Sequence, residues 1–470
     1  MGFYFTLQYY RNQDTIFYEI NHKEERYSDD LHHISYQEYF IYLYSDNYYI
    51  IFNNMTRDFF AVKTWIQIAI INFCVVALAG ITMRYKINFA LPFVNQKHLL
   101  YAHSNFAFMG WVTIILMVLM VNYLLRHGVR TNYKKYNWIL ISGCLTAYGM
   151  FVSFIIQGYG YFSISFSILS ILVSWVFILC YWFDLNKVID KSYAPKWFKA
   201  ALILMAIASL GEITLAYLMV NFSTVQDYYF AALYFFLHFQ YNGWFLFVCF
   251  ALLFSYLFTK GFLPTVAINK HLFITMAITV APTYLLSILW LKLPRSLHLL
   301  ANISAILQLL VLFYFIRLFP AVKKNIPRKI TATTRYLWTM AAIAFMLKIV
   351  LQTFSIIPFF SNYAFGFRPI VIGYLHLSFL GIISFFVLGY INQVLSESGG
   401  NISRGGVITF TIGVLLQEFI LMAQGLEVLN FEPLPYANII LFYSAIIMGG
   451  ALIWIASTIK KGSSLKLVRK

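Results

Sequence analysis

The feature that most constrains this chain is a series of twelve apolar segments, each about 20 residues or longer, separated by short polar loops. At 1.5 Å of rise per residue, such a segment wound as a helix covers a hydrocarbon core roughly 30 Å thick. The segments are predicted at 63–84, 99–125, 137–157, 160–183, 197–221, 230–258, 272–292, 297–318, 335–356, 369–394, 406–427 and 438–459. Inside lipid every backbone polar group has to be satisfied within the segment or by a closed barrel, and runs this long read as helices. The expected fold class is all-α: a polytopic membrane protein of about twelve transmembrane helices. With 61% hydrophobic and only 11% charged residues, the composition excludes an ordinary soluble domain.

The net charge of +17 raises nucleic acid as a partner. The cations, however, sit in short loops between apolar runs, where membrane orientation accounts for them. Loops after even-numbered spans hold Arg126, Arg130, Lys134 and Lys135, then Lys187, Lys191 and Lys196, then Lys260 and Lys270, then Lys323, Lys324, Arg328 and Lys329, and Arg404. Loops after odd-numbered spans hold only Arg84, Lys86, Lys97, Lys292, Arg295 and Arg368. Both termini are therefore expected on the cytoplasmic face of a bacterial inner membrane, with even-numbered spans entering from outside. The bilayer is the expected partner and nucleic acid is not.

Residues 1–54 differ in kind, being rich in Tyr, Asn, Asp and Glu without usable periodicity. They are expected to be a poorly ordered tail or to precede the true start at Met55. Residues 55–462 form the membrane domain and 463–470 a basic cytoplasmic tail. Cys74, Cys144, Cys180 and Cys249 all lie in apolar runs, outside any CxxC or CxxCH pattern, and read as small buried hydrophobes.

Orientation makes three histidines informative. His103, His238 and His376 lie four to eight residues inside spans 2, 6 and 10, about 6–12 Å below the outer surface. A ring nitrogen at that depth costs free energy unless something uses it. His103 and His376 fit a pair of axial ligands to one haem, with Ala107, Gly110, Gly373 and Gly381 leaving room nearby. Hydrogen bonding to neighbouring helices is the alternative. Glu212, Lys348 and Glu418 are the remaining buried charges; a Lys348–Glu418 ion pair is one reading of two of them, and Gln157, Gln240, Gln308, Gln352, Gln417 and Gln424 offer a polar path.

These residues resemble a family. Twelve spans with histidines in the outer third of spans 2, 6 and 10 resemble subunit I of the haem–copper oxidases, closest to the C-family oxidases and nitric-oxide-reductase relatives. His103-Ser-Asn-Phe-Ala-Phe-Met-Gly resembles the span-2 segment that ligates the low-spin haem. Gly373-Tyr-Leu-His-Leu-Ser-Phe-Leu-Gly381 resembles the span-10 segment, with His376 at the low-spin ligand and Tyr374 where the family has the high-spin one. Gln424-Gly-Leu resembles a short C-family motif, and the likeness covers about residues 60–460. His238 matches a span-6 copper ligand, but Pro282-Thr283-Tyr284 replaces the span-7 copper ligands. The resemblance thus implies one low-spin haem b held by His103 and His376, no copper beyond a vestigial ligand in His238, and a vacated cavity lined by Tyr241, Thr283, Tyr284 and Tyr374. It implies respiratory electron transfer or the handling of a small redox ligand, with other respiratory subunits or a quinone as partners. An active terminal oxidase or nitric oxide reductase subunit, and a cofactor-free transporter built on Glu212, Lys348 and Glu418, are the alternatives.

Overall fold

A computed structural model of the chain describes residues 8–12, 15–19, 60–221, 225–262, 267–323, 330–361, 367–430 and 434–461. Two units separate, Met1–Met55 and Thr56–Lys470. In the first, β1 (Gln8–Asn12) pairs antiparallel with β2 (Thr15–Glu19), Tyr10 opposite Phe17. The rest of the 1–54 tail, and the basic tail at 463–470, lie outside the described residues.

The second unit is a helical bundle: α1 (Val62–Asn88), α2 (Gln96–Arg126), α3 (Lys134–Gln157), α4 (Tyr161–Leu185), α5 (Ala194–Val220) and α6 (Gln226–Thr259). It continues through α7 (Ala267–Thr279), a 3₁₀ turn at Pro282–Ile288, α8 (Arg295–Lys323), α9 (Ala332–Phe354), α10 (Arg368–Ser396), α11 (Arg404–Asn430) and α12 (Ala437–Lys461). Among the described residues eleven helices are long and apolar enough to cross a membrane, and the bent pair at α7 makes a twelfth. The all-α polytopic expectation stands, and every predicted span has its helix.

Three helices form the inside of the bundle. Of the apolar window of α2, 94% is buried, against 83% for α6, 56% for α10 and 33–50% for the other unbroken spans. The sequence reason is plainest in α2, where Ile114–Leu124 is apolar on nearly every face and every residue is buried. The outer helices keep apolar residues such as Leu145, Ile156, Leu179 and Phe419 exposed, the surface a bilayer would cover.

The C-terminal ends of the inner helices meet at one carboxylate. Arg126 at the end of α2 lies 2.8 Å from Glu397 just past α10, and Lys260 past α6 lies 3.0 Å from the same group. The three inner helices therefore run parallel. On the loop side, Asp184 accepts from Thr131 and Tyr136 at 2.8 Å and pairs with Lys135 and Lys187 at 2.6 and 2.8 Å, tying the α2–α3 loop to the end of α4.

Each inner helix also widens after its histidine. Phe106–Thr113 in α2, His238–Phe245 in α6 and Leu377–Ser384 in α10 are π-helical, and each wide turn contains a glycine: Gly110, Gly243 and Gly381. π segments recur at functional sites because the extra residue re-aims the side chains beside it. The glycines also permit close packing. A Cβ on Gly243 would stand 3.1 Å from Leu204 of α5, and one on Gly381 3.1 Å from Ala344 of α9.

Asp190, in the loop after α4, accepts from Tyr123 at 2.8 Å and from the Ser192 amide at 2.7 Å, and faces His127 at 3.5 Å. Burial pushes its carboxyl up, but the bonds from His127, Ser192 and Tyr123 outweigh burial and hold it below the usual carboxylate range. A depressed folded value means that this stability is fully present above the unfolded value near pH 4 and is lost as pH falls through the lower folded one. Thermal melts of the detergent-solubilised protein should lose stability below about pH 4, and Asp190→Asn should lower stability at neutral pH while flattening that acid limb.

Candidate functional site

His103 lies seven residues past Gln96, where α2 begins, and His376 eight past Arg368, where α10 begins. The two helices run parallel, so the rings sit at the same end of the bundle, roughly 10–12 Å along each helix. His103 Nδ1 stands 3.0 Å from the Val76 carbonyl of α1. A carbonyl only accepts, so Nδ1 carries the proton and Nε2 is left with its lone pair. Gly80, one turn further along α1, lets the helix approach: a Cβ there would be 3.3 Å from His103 Cε1. His376 is placed differently. Its Nδ1 is sealed from solvent with no hydrogen-bond partner. The two rings lie within electrostatic reach of each other and of Arg84, and Arg84 within reach of Arg368. Two imidazoles on facing helices suit iron already held in a macrocycle; a bare zinc ion wants about four ligands.

His238 has another job. Its Nε2 donates to the Val280 carbonyl at 2.7 Å, and its Nδ1 accepts from Asn242 at 3.2 Å. Val280 sits at the break in span 7, which was expected to run unbroken over 272–292. Pro282 has no N–H to give, the chain bends by 50°, and it continues as a 3₁₀ turn. The carbonyls freed by the bend are taken by side chains: Val280 by His238 and Thr283, Thr279 by Thr283 at 2.8 Å. Among the described residues no group of three or more His, Cys, Asp or Glu gathers to hold a metal ion.

The single cavity expected around His238 is divided. Tyr241 and Tyr374 line a large cavity of about 740 Å³ between α6, α9, α10 and α11. Thr283 instead lines a small one of about 20 Å³ with Asn242, Gln308 and Lys348. Tyr284 donates to the Ala231 carbonyl at 3.0 Å and lines neither of these two cavities. Neither cavity is lined by His103 or His376.

The three charges expected to be buried do not come together, and Glu418 is only half-buried. Lys348 faces the small cavity and Glu418 the large one, so the two form no ion pair. Glu212 is buried with both carboxyl oxygens unpartnered. The polar path through the glutamines is local: Gln352 accepts from Tyr374 at 3.4 Å. Sequence reading missed Arg84 and Arg368, which it counted as loop charges although both lie within a turn or so of a span's outer end.

No protein-family model matches the chain, and no curated protein matches it.

His238→Ala would leave the Val280 carbonyl with one fewer donor and the Asn242 amide without its acceptor. The expected cost is about 1–3 kcal/mol, the usual penalty for stranding a buried polar group. A lowered melting temperature in detergent would show it. His238→Gln, which keeps a donor, should recover part of the loss.

Proposed function

We propose that the chain is a membrane haem b protein that holds one low-spin haem between His103 and His376 and serves electron transfer. The observation that carries this reading is that an imidazole of α2 and one of α10 stand at similar depth within electrostatic reach of each other. One is aimed by a backbone carbonyl, the other keeps a sealed nitrogen that no protein group uses. A ligating histidine commonly donates its second ring nitrogen to a carbonyl, which fixes its tautomer and orientation, and Val76 supplies that carbonyl here. Arg84 and Arg368 would offer positive charge to the carboxylates of a porphyrin on the outer side, and Gly80 keeps the wall beside His103 flat.

Held by His103 and His376, a haem would supply one-electron chemistry. The protein's share is to orient the rings, exclude water and balance charge. The excess of positive charge in the loops supports a cytoplasmic side of a bacterial inner membrane for the termini and the Glu397 end, with the histidines in the outer third. Electron donor and acceptor then lie on other molecules of a respiratory chain.

The test is a reduced-minus-oxidised visible spectrum with a pyridine haemochrome count on the purified protein. One b haem per chain, its spectrum unmoved by carbon monoxide, is expected. His103→Ala and His376→Ala should each abolish it while the protein still inserts, and His238→Ala should retain it. A colourless protein from haem-replete cells would overturn the reading.

A further inference from the structure

A further cavity, of about 650 Å³, opens between α6, α8, α9 and α10 at the Glu397 end of the bundle. Helix ends set its rim. Leu257 lies two residues before the end of α6, Pro320 three before the end of α8, and Ile330 two before the start of α9. Its floor is formed by Leu246, Phe345 and Ile382, all buried. From Arg335 at the rim to Phe345 at the floor α9 advances ten residues, or about 15 Å. That is half of a hydrocarbon core roughly 30 Å thick, so the cavity is one leaflet deep.

Its polarity is gathered at one pole. Trp338 donates its indole N–H to the Phe386 carbonyl at 3.2 Å, and the Thr339 hydroxyl donates to the Arg335 carbonyl at 2.8 Å. The guanidinium of Arg335, exposed at the rim, is the one charged group on the lining. A free anion would meet that pole but leave the apolar wall uncovered. A neutral hydrocarbon would do the reverse. An amphiphile with one anionic head and an apolar body one leaflet long satisfies both.

Charge around the rim has the same sign. From Tyr228 to Ser396 the chain contains no Asp or Glu, and the loop between α8 and α9 alone supplies Lys323, Lys324, Arg328 and Lys329. The described acids at this end are engaged elsewhere: Glu397 with Arg126 and Lys260, Asp184 with Lys135 and Lys187, Asp190 with Tyr123 and His127. Loop charge accounts for the way the chain inserts, but it brings no counter-charge. Basic pockets between spanning helices are places where acidic lipid headgroups collect.

We propose that this cavity holds an anionic phospholipid from the leaflet at the Glu397 end, its phosphate at Arg335 and an acyl chain between α6, α8, α9 and α10. The proposal rests on the bundle standing in a bilayer and not on the haem.

The experiment uses the full chain purified in detergent and exposed to equal amounts of phosphatidylglycerol and phosphatidylcholine with identical acyl chains, the retained lipid being counted by native mass spectrometry. One phosphatidylglycerol per chain, preferred tenfold or more, is expected. Arg335→Gln should bring the two lipids close to parity. Ala342→Phe, which fills the cavity from α9, should remove retention of both. Arg404→Gln, which removes an exposed cation at the same end but off the lining, should leave the preference unchanged. Equal retention of the two lipids by the unaltered chain, a preference untouched by Arg335→Gln, or an equal loss in Arg404→Gln would each overturn the proposal. Arg335 is exposed, so its replacement leaves the core intact, and the test stands even where Ala342→Phe fails to fold.

Discussion

A polar group in the middle of a bilayer has no water to fall back on, and the three inner helices are arranged around that constraint. α2, α6 and α10 are clamped at one end, where Glu397 meets Arg126 and Lys260. From clamp to histidine the count is 23 residues in α2 (126 minus 103), 22 in α6 (260 minus 238) and 21 in α10 (397 minus 376). In parallel helices those near-equal counts, roughly 32–35 Å at 1.5 Å each, bring three imidazoles to one level. The ion pairs themselves are about a third exposed and worth little as energy. Their importance is register.

At that level the three rings are treated in three ways. His238 is fully satisfied, and it in turn satisfies the carbonyl freed by the bend at Pro282. His103 is satisfied at one nitrogen only, and His376 has a nitrogen that nothing meets. The difference follows from the neighbours. α6 packs against a broken helix with carbonyls to spare, whereas no protein group meets the His376 nitrogen on α10. A stranded nitrogen on an otherwise well-packed helix is the kind of local conflict that marks a site, since packing alone would have removed it.

Much of the fold was legible because twelve apolar runs leave few alternatives: loops too polar to insert and spans too long to be strands. The inner position of α2 went unread, although the run without a polar stripe between Ile114 and Leu124 carried it. Pro282 announced the bend in span 7, but the length of the apolar run spoke for continuity, and the missing N–H won. What the sequence left open is lateral. Spacing says which face of a helix a residue occupies, not which neighbour that face meets. Lys348 and Glu418 read equally well as partners or strangers, and the packing of α9 and α11 put them on different cavities. The nearness of Arg84 to Arg368 was hidden for the same reason, since one lies near the end of α1 and the other begins α10.

α10 is the divide of the molecule. Two residues along an α-helix is a rotation of about 200°, so Tyr374 and His376 leave the same turn on nearly opposite sides. Tyr374 lines the large cavity, and His376 lies within electrostatic reach of His103. A single helical wall thus has the large cavity on one face and the His376 ring on the other. The wide turn at Leu377–Ser384 begins directly after this pair, where the helix packs closely on Ala344 through Gly381. A wall of that kind holds its two faces at a fixed separation while keeping their contents apart.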